Sequence, residues 1–367
     1  MSLQIAPYLQ AVVVNNGSDL HIKAGAPPKI RISGSLVPLQ VDPFTPAQVS
    51  ALILETMPAD VAEQFGRSNE ADYALSVSGV GRFRVNAFRT RGTPACVLRL
   101  VGDEPVSLKA LDVPDVIRRL ALESRGLVLV TGPTGSGKTT TLAAMVDTVN
   151  EERAVHVLTI EDPIEVLHRD KMASVSQREL GTDTFDWATA LRAAMRQDPD
   201  VILIGEMRDA ETVKAALSAA ETGHFVMSTL HTTDAKETVN RIIDFFPAHE
   251  QKQVRLGLAT SLKGIVCQRL VPRADGVGRV CAMEIAVNNP RLAEAISDPD
   301  KTDAIEDIIT AGSFSGMQTF DQHLLKLVLD GTVSVATAKI TSTNAHDFAV
   351  MLKRAGVSPA LVDAVPS

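Results

Sequence analysis

Eight consecutive residues, Gly132-Pro133-Thr134-Gly135-Ser136-Gly137-Lys138-Thr139, spell G-x-x-x-x-G-K-[ST] between an apolar run, Leu127–Thr131, and a helical segment opening at Lys138. This feature constrains the chain most, because a phosphate-cradling turn needs a buried strand that feeds a helix N-terminus. The glycines let backbone N–H groups turn inward around a β-phosphate, and the helix dipole adds positive potential. Lys138 then reaches the β/γ oxygens and the Thr139 hydroxyl holds Mg²⁺, with Thr140 next in the first helical turn. A turn that binds nothing needs no such eight-position match. No base-reading N-K-x-D sequence occurs anywhere in the chain, so the expected nucleotide is ATP with Mg²⁺.

Around this turn, short and wholly apolar strands alternate with helices, the pattern of a parallel sheet covered on both faces. Four such strands are legible: Leu127–Thr131, Val155–Ile160, Val201–Ile204 and Phe225–Thr229. From Asp234 onward the pattern is mainly helical, with one hairpin near Leu270–Ile285 turning at Asp275-Gly276.

The first hundred or so residues read differently. A helix at Leu3–Asn15, strands near Leu20–Lys23 and Lys29–Ile32, a turn at Ser33-Gly34-Ser35 and a helical stretch from Pro46 to about Phe65 precede a meander. Its segments are Tyr73–Val77, Arg82–Arg89 and Pro94–Val101, so this part is α+β. The turn formers Gly102-Asp103-Glu104-Pro105 open a linker. The expected division is 1–101, linker 102–114, a core at 115–289 and a helical region at 290–367.

Composition excludes several classes. Lys plus Arg number 36 against 44 Asp plus Glu, a net charge of −8, which does not invite a nucleic acid backbone. The longest apolar runs fall far short of the roughly 20 residues of a bilayer-spanning helix. The N-terminus shows no basic stretch before an apolar signal core, so a cytoplasmic place is expected. Cys96, Cys267 and Cys281 lack C-x-x-C spacing and read as core residues rather than a disulfide framework or zinc site.

Ligands of an open parallel sheet collect at the carboxyl ends of its strands. After Val155–Ile160 comes Glu161-Asp162-Pro163-Ile164-Glu165, with the strand read as neighbour to that of the phosphate loop; one of these carboxylates would serve as general base on the attacking water. After Val201–Ile204 comes Gly205-Glu206-Met207-Arg208-Asp209, similar to a Walker B element with Gly205 where an Asp usually ends the strand, so Glu206 inherits the Mg²⁺-water role. His224 stands just before Phe225–Thr229 and His231 comes after it in Leu230-His231-Thr232-Thr233, offering an imidazole to sense a γ-phosphate.

Taken together, these residues resemble the secretion ATPase superfamily and, within it, the PilT-type motors that retract type IV pili. Ile160–Glu165 is similar to the family's Asp box, Val201–Asp209 to its atypical Walker B, and Gly223–Thr232 to its His box. Ser18–Ile22 with Pro27–Arg31, and Gly81–Phe88, resemble strands of its N-terminal domain, and Gly316–Asp321 its C-terminal helical signature.

The resemblance implies an α/β chain: a PAS-like α+β domain, then a RecA-like P-loop ATPase domain with a helical C-terminal portion. It implies Glu165 as general base, Glu206 on Mg²⁺, and His224 and His231 coupling nucleotide state to the subunit interface. Arginines among Arg82, Arg84, Arg89 and Arg91 would reach the nucleotide of the same or an adjacent subunit. The implied assembly is a homohexamer acting with an inner-membrane pilus platform protein at the inner face of the cytoplasmic membrane. The tetracysteine zinc insertion of longer assembly and type II secretion motors is absent from the chain. Asn289–Ile296 departs from the A-I-R-N-L-I-R-E helix usual in retraction motors. The competing readings are an assembly or secretion motor of the same superfamily, a nucleotide-sensing subunit without turnover, and a RecA-like nucleic-acid motor.

Overall fold

The computed structural model describes residues 3–102 and 104–363; Asp103 of the expected linker lies outside them. Two compact units emerge. The first takes in the chain up to Glu104 together with Ile164–Leu167, and the second takes in Pro105–Pro163 and His168 onward.

In the first unit, α1 (Ala6–Val14) buries Leu9 and Val12, and Ile5 just before it completes one apolar stripe at helical spacing. Strands β1 (Asp19–Lys23), β2 (Lys29–Ile32) and β3 (Ser35–Pro38) are followed by α2 (Pro46–Thr56) and α3 (Ala59–Ser68). Strands β4 (Glu70–Val77), β5 (Gly81–Thr90) and β6 (Thr93–Leu100) complete an antiparallel sheet of order β3-β2-β1-β6-β5-β4. The helical stretch expected from Pro46 to Phe65 is two helices. Pro58, which has no backbone N–H to continue a helix, stands between them. Strand β3 went unforeseen because all four of its residues are exposed, leaving no hydrophobic alternation to read.

The second unit opens with α4 (Val116–Ala121), β7 (Gly126–Thr131), α5 (Lys138–Glu152), β8 (His156–Glu161), β9 (Ser174–Glu179) and α6 (Trp187–Ala194). Next come β10 (Val201–Ile204), α7 (Ala210–Glu221), β11 (Phe225–Leu230), α8 (Ala235–Asp244), α9 (Ala248–Ser261), β12 (Leu262–Pro272) and β13 (Arg279–Val287). Helices α10 (Pro290–Ser297), α11 (Ile305–Ala311), α12 (Phe320–Leu329), α13 (Val335–Thr341), α14 (Ala345–Arg354) and α15 (Pro359–Asp363) finish the chain.

The sheet order is β13-β12-β7-β11-β10-β8-β9, parallel except for β13. Leu127 and Leu129 of β7 face one core, and Val128 and Val130 face the other, which is why the strand reads as an unbroken apolar run. The expected hairpin is longer than the sequence suggested, since β12 begins at Leu262 and pairs in parallel with β7.

Two histidines, His323 buried and His168 half-buried, make stability depend on pH. His323 of α12 accepts the Met283 backbone N–H of β13 on Nδ1 at 2.9 Å, and burial pushes its pKa from 6.5 down to about 4. Burial lowers His168 to about 4 as well. Both imidazoles stay neutral in the fold, so below pH 6.5 the unfolded chain takes up protons first and stability falls toward pH 4. Glu284, raised to about 7 by burial, acts oppositely: its contribution is lost as pH rises from 4.5 through 7. Replacing His323 by Gln should therefore shrink the loss of stability between pH 6.5 and 4.5 by on the order of 2–3 kcal/mol, measured by denaturant unfolding at both pH values. An unchanged pH slope would show that this imidazole titrates normally.

Candidate active site

The turn after β7 is shaped by its glycines. A Cβ on Gly132, whose φ is +144°, would stand 2.5 Å from the Gln268 carbonyl oxygen and 2.6 Å from Ser136 Oγ, so no side chain fits. Gly137, at φ +91°, is the N-cap of α5 and supplies no side chain to cap it. The first N–H groups of that helix are thereby left for an anion. The Ser136 hydroxyl is buried and has no hydrogen-bond partner among the described residues. A buried polar group without a partner is costly, and a phosphate oxygen would supply one. Pro133, Thr134, Gly135 and Thr140 are exposed, whereas Lys138 and Thr139 are half-buried.

Sheet order then decides which strand ends meet this turn. Strand β11 is the neighbour of β7, with β10 beyond it and β8 beyond that. The expectation that the β8 strand end lies one strand from the phosphate loop is therefore corrected: two strands intervene, and at about 4.8 Å per strand β8 sits roughly 14 Å across the sheet from β7.

The side chains follow that order. Lys138 Nζ donates to the Gly132 carbonyl at 2.8 Å and the Pro133 carbonyl at 3.1 Å, and lies 3.4 Å from His231 Nδ1. His231 Nε2 lies 3.2 Å from Glu206 Oε1. The other Glu206 oxygen accepts from Arg208 at 2.9 Å (Nε) and 2.8 Å. With Lys138 donating to Nδ1, the ring N–H is on Nε2, the nitrogen that faces Glu206. Arg208 is held above its ordinary pKa, first by its hydrogen bond to Glu206 and further by the negative charge of Asp162. A continuous polar row thus runs from the phosphate loop across the ends of β11 and β10. Arg208, present in the Walker B-like segment, had no role assigned from sequence; its pairing with Glu206 gives it one.

Gly205 explains the missing Asp. A Cβ there would come within 3.2 Å of both the Ile160 carbonyl oxygen and the Trp187 ring, and 3.4 Å from the Glu161 Cα. A side chain there would have to push these neighbours aside by a few tenths of an ångström, and Glu206, one residue later, reaches the row instead.

Three expectations need revision or placement. His224 is not brought to the phosphate loop. It precedes β11, its Nδ1–H donates to the Ala219 carbonyl at 3.0 Å, and its own carbonyl accepts the Gly126 N–H at 3.0 Å. The six residues of β11, about 3.3 Å each, separate it from His231 at the opposite edge of the sheet. Arg82, Arg84 and Arg89 do not share one face. Arg82 and Arg84 alternate with the buried Phe83 and Val85, so they lie on the face away from the core. Arg89 has the opposite parity, and its guanidinium stacks on the Phe65 ring of α3 at 5.4 Å.

Glu165 is exposed, on the segment Ile164–Leu167 that groups with the first unit. There the Leu167 N–H donates to the Gly102 carbonyl at 2.8 Å and Val166 bridges to Gly102. Its rival Glu161 is buried, and Oε1 already accepts from the Thr159 hydroxyl at 2.7 Å and the Gln177 amide at 3.0 Å.

Comparison with known proteins places this arrangement. The family described as Type II/IV secretion system protein matches residues 2–297. The chain is 44% identical to the Type IV pilus retractation ATPase PilT of Pseudomonas aeruginosa over 337 residues, 92% of this chain and 97% of that protein. It is 43% identical to the Twitching motility protein of Neisseria gonorrhoeae, covering 87% of this chain and 85% of that one. Among solved structures, that of the Pilus Retraction Motor PilT and Bound ADP superimposes with a TM-score of 0.85 at 42% identity, over 94% of this chain and 99% of its own. A phosphate loop at a parallel strand end, its lysine linked through His231 to Glu206, in a sequence matched almost end to end, makes this chain a member of the type II/IV secretion system protein family.

Proposed function

We propose that the chain is an ATP-hydrolysing motor that drives retraction of type IV pili. The observation that carries the reading is the row Lys138–His231–Glu206, which joins the phosphate-gripping lysine to a carboxylate two strands away. A change at the γ-phosphate is felt along that row without any backbone unfolding. Similarity over nearly the whole length of a pilus retractation ATPase supports the direction of work.

Thr139 and Glu206 offer the hydroxyl and carboxylate oxygens that Mg²⁺ prefers: Thr139 stands in the first turn of α5, and Glu206 follows β10 at the far end of the row from Lys138. They are the residues that would hold the ion, which neutralises phosphate charge when bound. Glu165 is the proposed general base. The working form is a homohexamer, with His224 at the far edge of the sheet and Arg82 and Arg84 on the sheet face away from the core as the groups proposed to meet a neighbouring subunit. No described helix is long and apolar enough to cross a membrane. Force would therefore be passed on through an inner-membrane pilus platform protein, with the motor peripheral at the cytoplasmic face.

Sedimentation with ATP should show a species of about six times the monomer mass, and purified protein should release phosphate steadily. Cells lacking the chain should keep surface pili that no longer retract. A monomer at every concentration with and without ATP would remove the ring, and loss of the pili themselves would point to the assembly motor instead.

A further inference from the structure

Gln177 stands on β9, the edge strand paired with β8. Its side-chain carbonyl accepts the backbone N–H of His168 at 2.8 Å, and its Nε2 donates to Glu161 Oε1 at 3.0 Å. Glu161 is the last residue of β8, and His168 is the first residue after the excursion Ile164–Leu167. One amide therefore ties together both feet of the loop 162–167 that carries Glu165. The Thr159 hydroxyl, donating to the same Glu161 oxygen at 2.7 Å, fixes the foot on β8.

The chemistry of the clamp selects its residue type. Closing this loop takes one acceptor, for the His168 N–H, and one donor, for the Glu161 carboxylate, at the tip of a single side chain. A carboxamide carries both. Glu in its place would keep the acceptor but set a second carboxylate against Glu161, and Leu would supply neither group.

We propose that Gln177 is a positioning residue for turnover: it fixes the loop bearing Glu165 and does not itself touch nucleotide. The proposal rests on the reading of Glu165 as general base. A base that acts on water at the γ-phosphate is sensitive to displacement, since a misplacement of about 1 Å costs on the order of 10²-fold in rate. Freeing the two feet of a six-residue loop permits a displacement of that order.

The test uses the full-length chain and measures kcat and KM for ATP, ADP affinity and the thermal midpoint. The variants are Gln177→Leu, Gln177→Glu, Glu165→Gln and the double variant Gln177→Leu/Glu165→Gln. Gln177→Leu is expected to lower kcat about 10- to 100-fold with KM and ADP affinity within about twofold. In the Glu165→Gln background the same change should cost less than about twofold, because the group it positions is already gone. Gln177→Glu, which keeps the bond to His168, should lose turnover too, and it serves as the second variant if Gln177→Leu fails to fold.

Wild-type kcat in a folded Gln177 variant would overturn the proposal. So would its full effect persisting beside Glu165→Gln, or a parallel fall in ADP affinity and thermal midpoint. Glu165→Gln with wild-type turnover would instead remove the general-base reading, an outcome distinguishable from the others by that single variant.

Discussion

Lys138→Ala should abolish nucleotide binding. The ammonium stands at the mouth of the turn, held at 2.8 and 3.1 Å by the Gly132 and Pro133 carbonyls, where a β/γ-phosphate would replace those neutral acceptors with charged ones. Two charge-assisted hydrogen bonds at about 1.5–3 kcal/mol each amount to roughly 3–6 kcal/mol, or about 10²–10⁴ in affinity. Calorimetric titration with ATP and with ADP measures it. The variant also removes the neighbour of His231 Nδ1, so the loss reaches the row to Glu206. The helix α5 itself should survive, because its buried face from Thr141 to Asn150 is untouched. Wild-type affinity in a folded Lys138→Ala protein would refute the assignment of the turn.

Glu165→Gln should separate binding from chemistry. The amide keeps size and hydrogen-bonding reach but cannot take a proton, so ATP affinity is retained while turnover falls about 10²–10⁴-fold. Glu161→Gln and Asp162→Asn are the controls. Glu161 is buried and engaged by Thr159 and Gln177, which suits a structural strut more than a base that must meet water. Asp162 is exposed and acts on Arg208 through its charge. Its loss should remove that charge from Arg208, keep the Arg208–Glu206 hydrogen bonds and leave the base in place. The general base would have been misassigned if Glu165→Gln turned over within a few-fold of wild type while Glu161→Gln did not.

The strand, turn and helix start around Gly132–Thr139 were legible in the sequence because they are local: eight neighbouring residues fix the turn and the start of the helix together. Strand existence was legible for the same reason, since complete burial writes an unbroken apolar run. Strand order was not. Periodicity reports how deeply a strand is covered and carries nothing about which strand lies beside it, so β8 was read as the neighbour of β7 when β11 and β10 intervene.

Strand β9 escaped notice because Ser174–Glu179 is an edge strand with polar side chains. Gln177 was therefore never weighed as a positioning residue. The two histidines of the His box look equivalent in sequence, and only the direction of β11 shows that one lies beside the phosphate loop and the other a strand length away. Arg89 could have been separated from Arg82 and Arg84 by counting alternation from Phe83 and Val85. Its stacking partner, Phe65, lies in a helix that alternation within the strand does not locate.

The excursion Ile164–Leu167 bears on how such chains are assembled from parts over evolutionary time. A simple two-part protein can exchange one half for a homologous half by recombination at the connecting segment. Here the backbone passes between the units at Glu104–Pro105, again at Pro163–Ile164 and back at Leu167–His168. A transplanted N-terminal half therefore arrives without the four residues that complete it, and those residues carry Glu165. Recombinants cut only near residue 104 must match their new partner at Ile164–Leu167 or lose the ordering of that segment. Inheritance of the two halves is thereby coupled through a tetrapeptide, and the chain is expected to have diversified as a unit and not by shuffling.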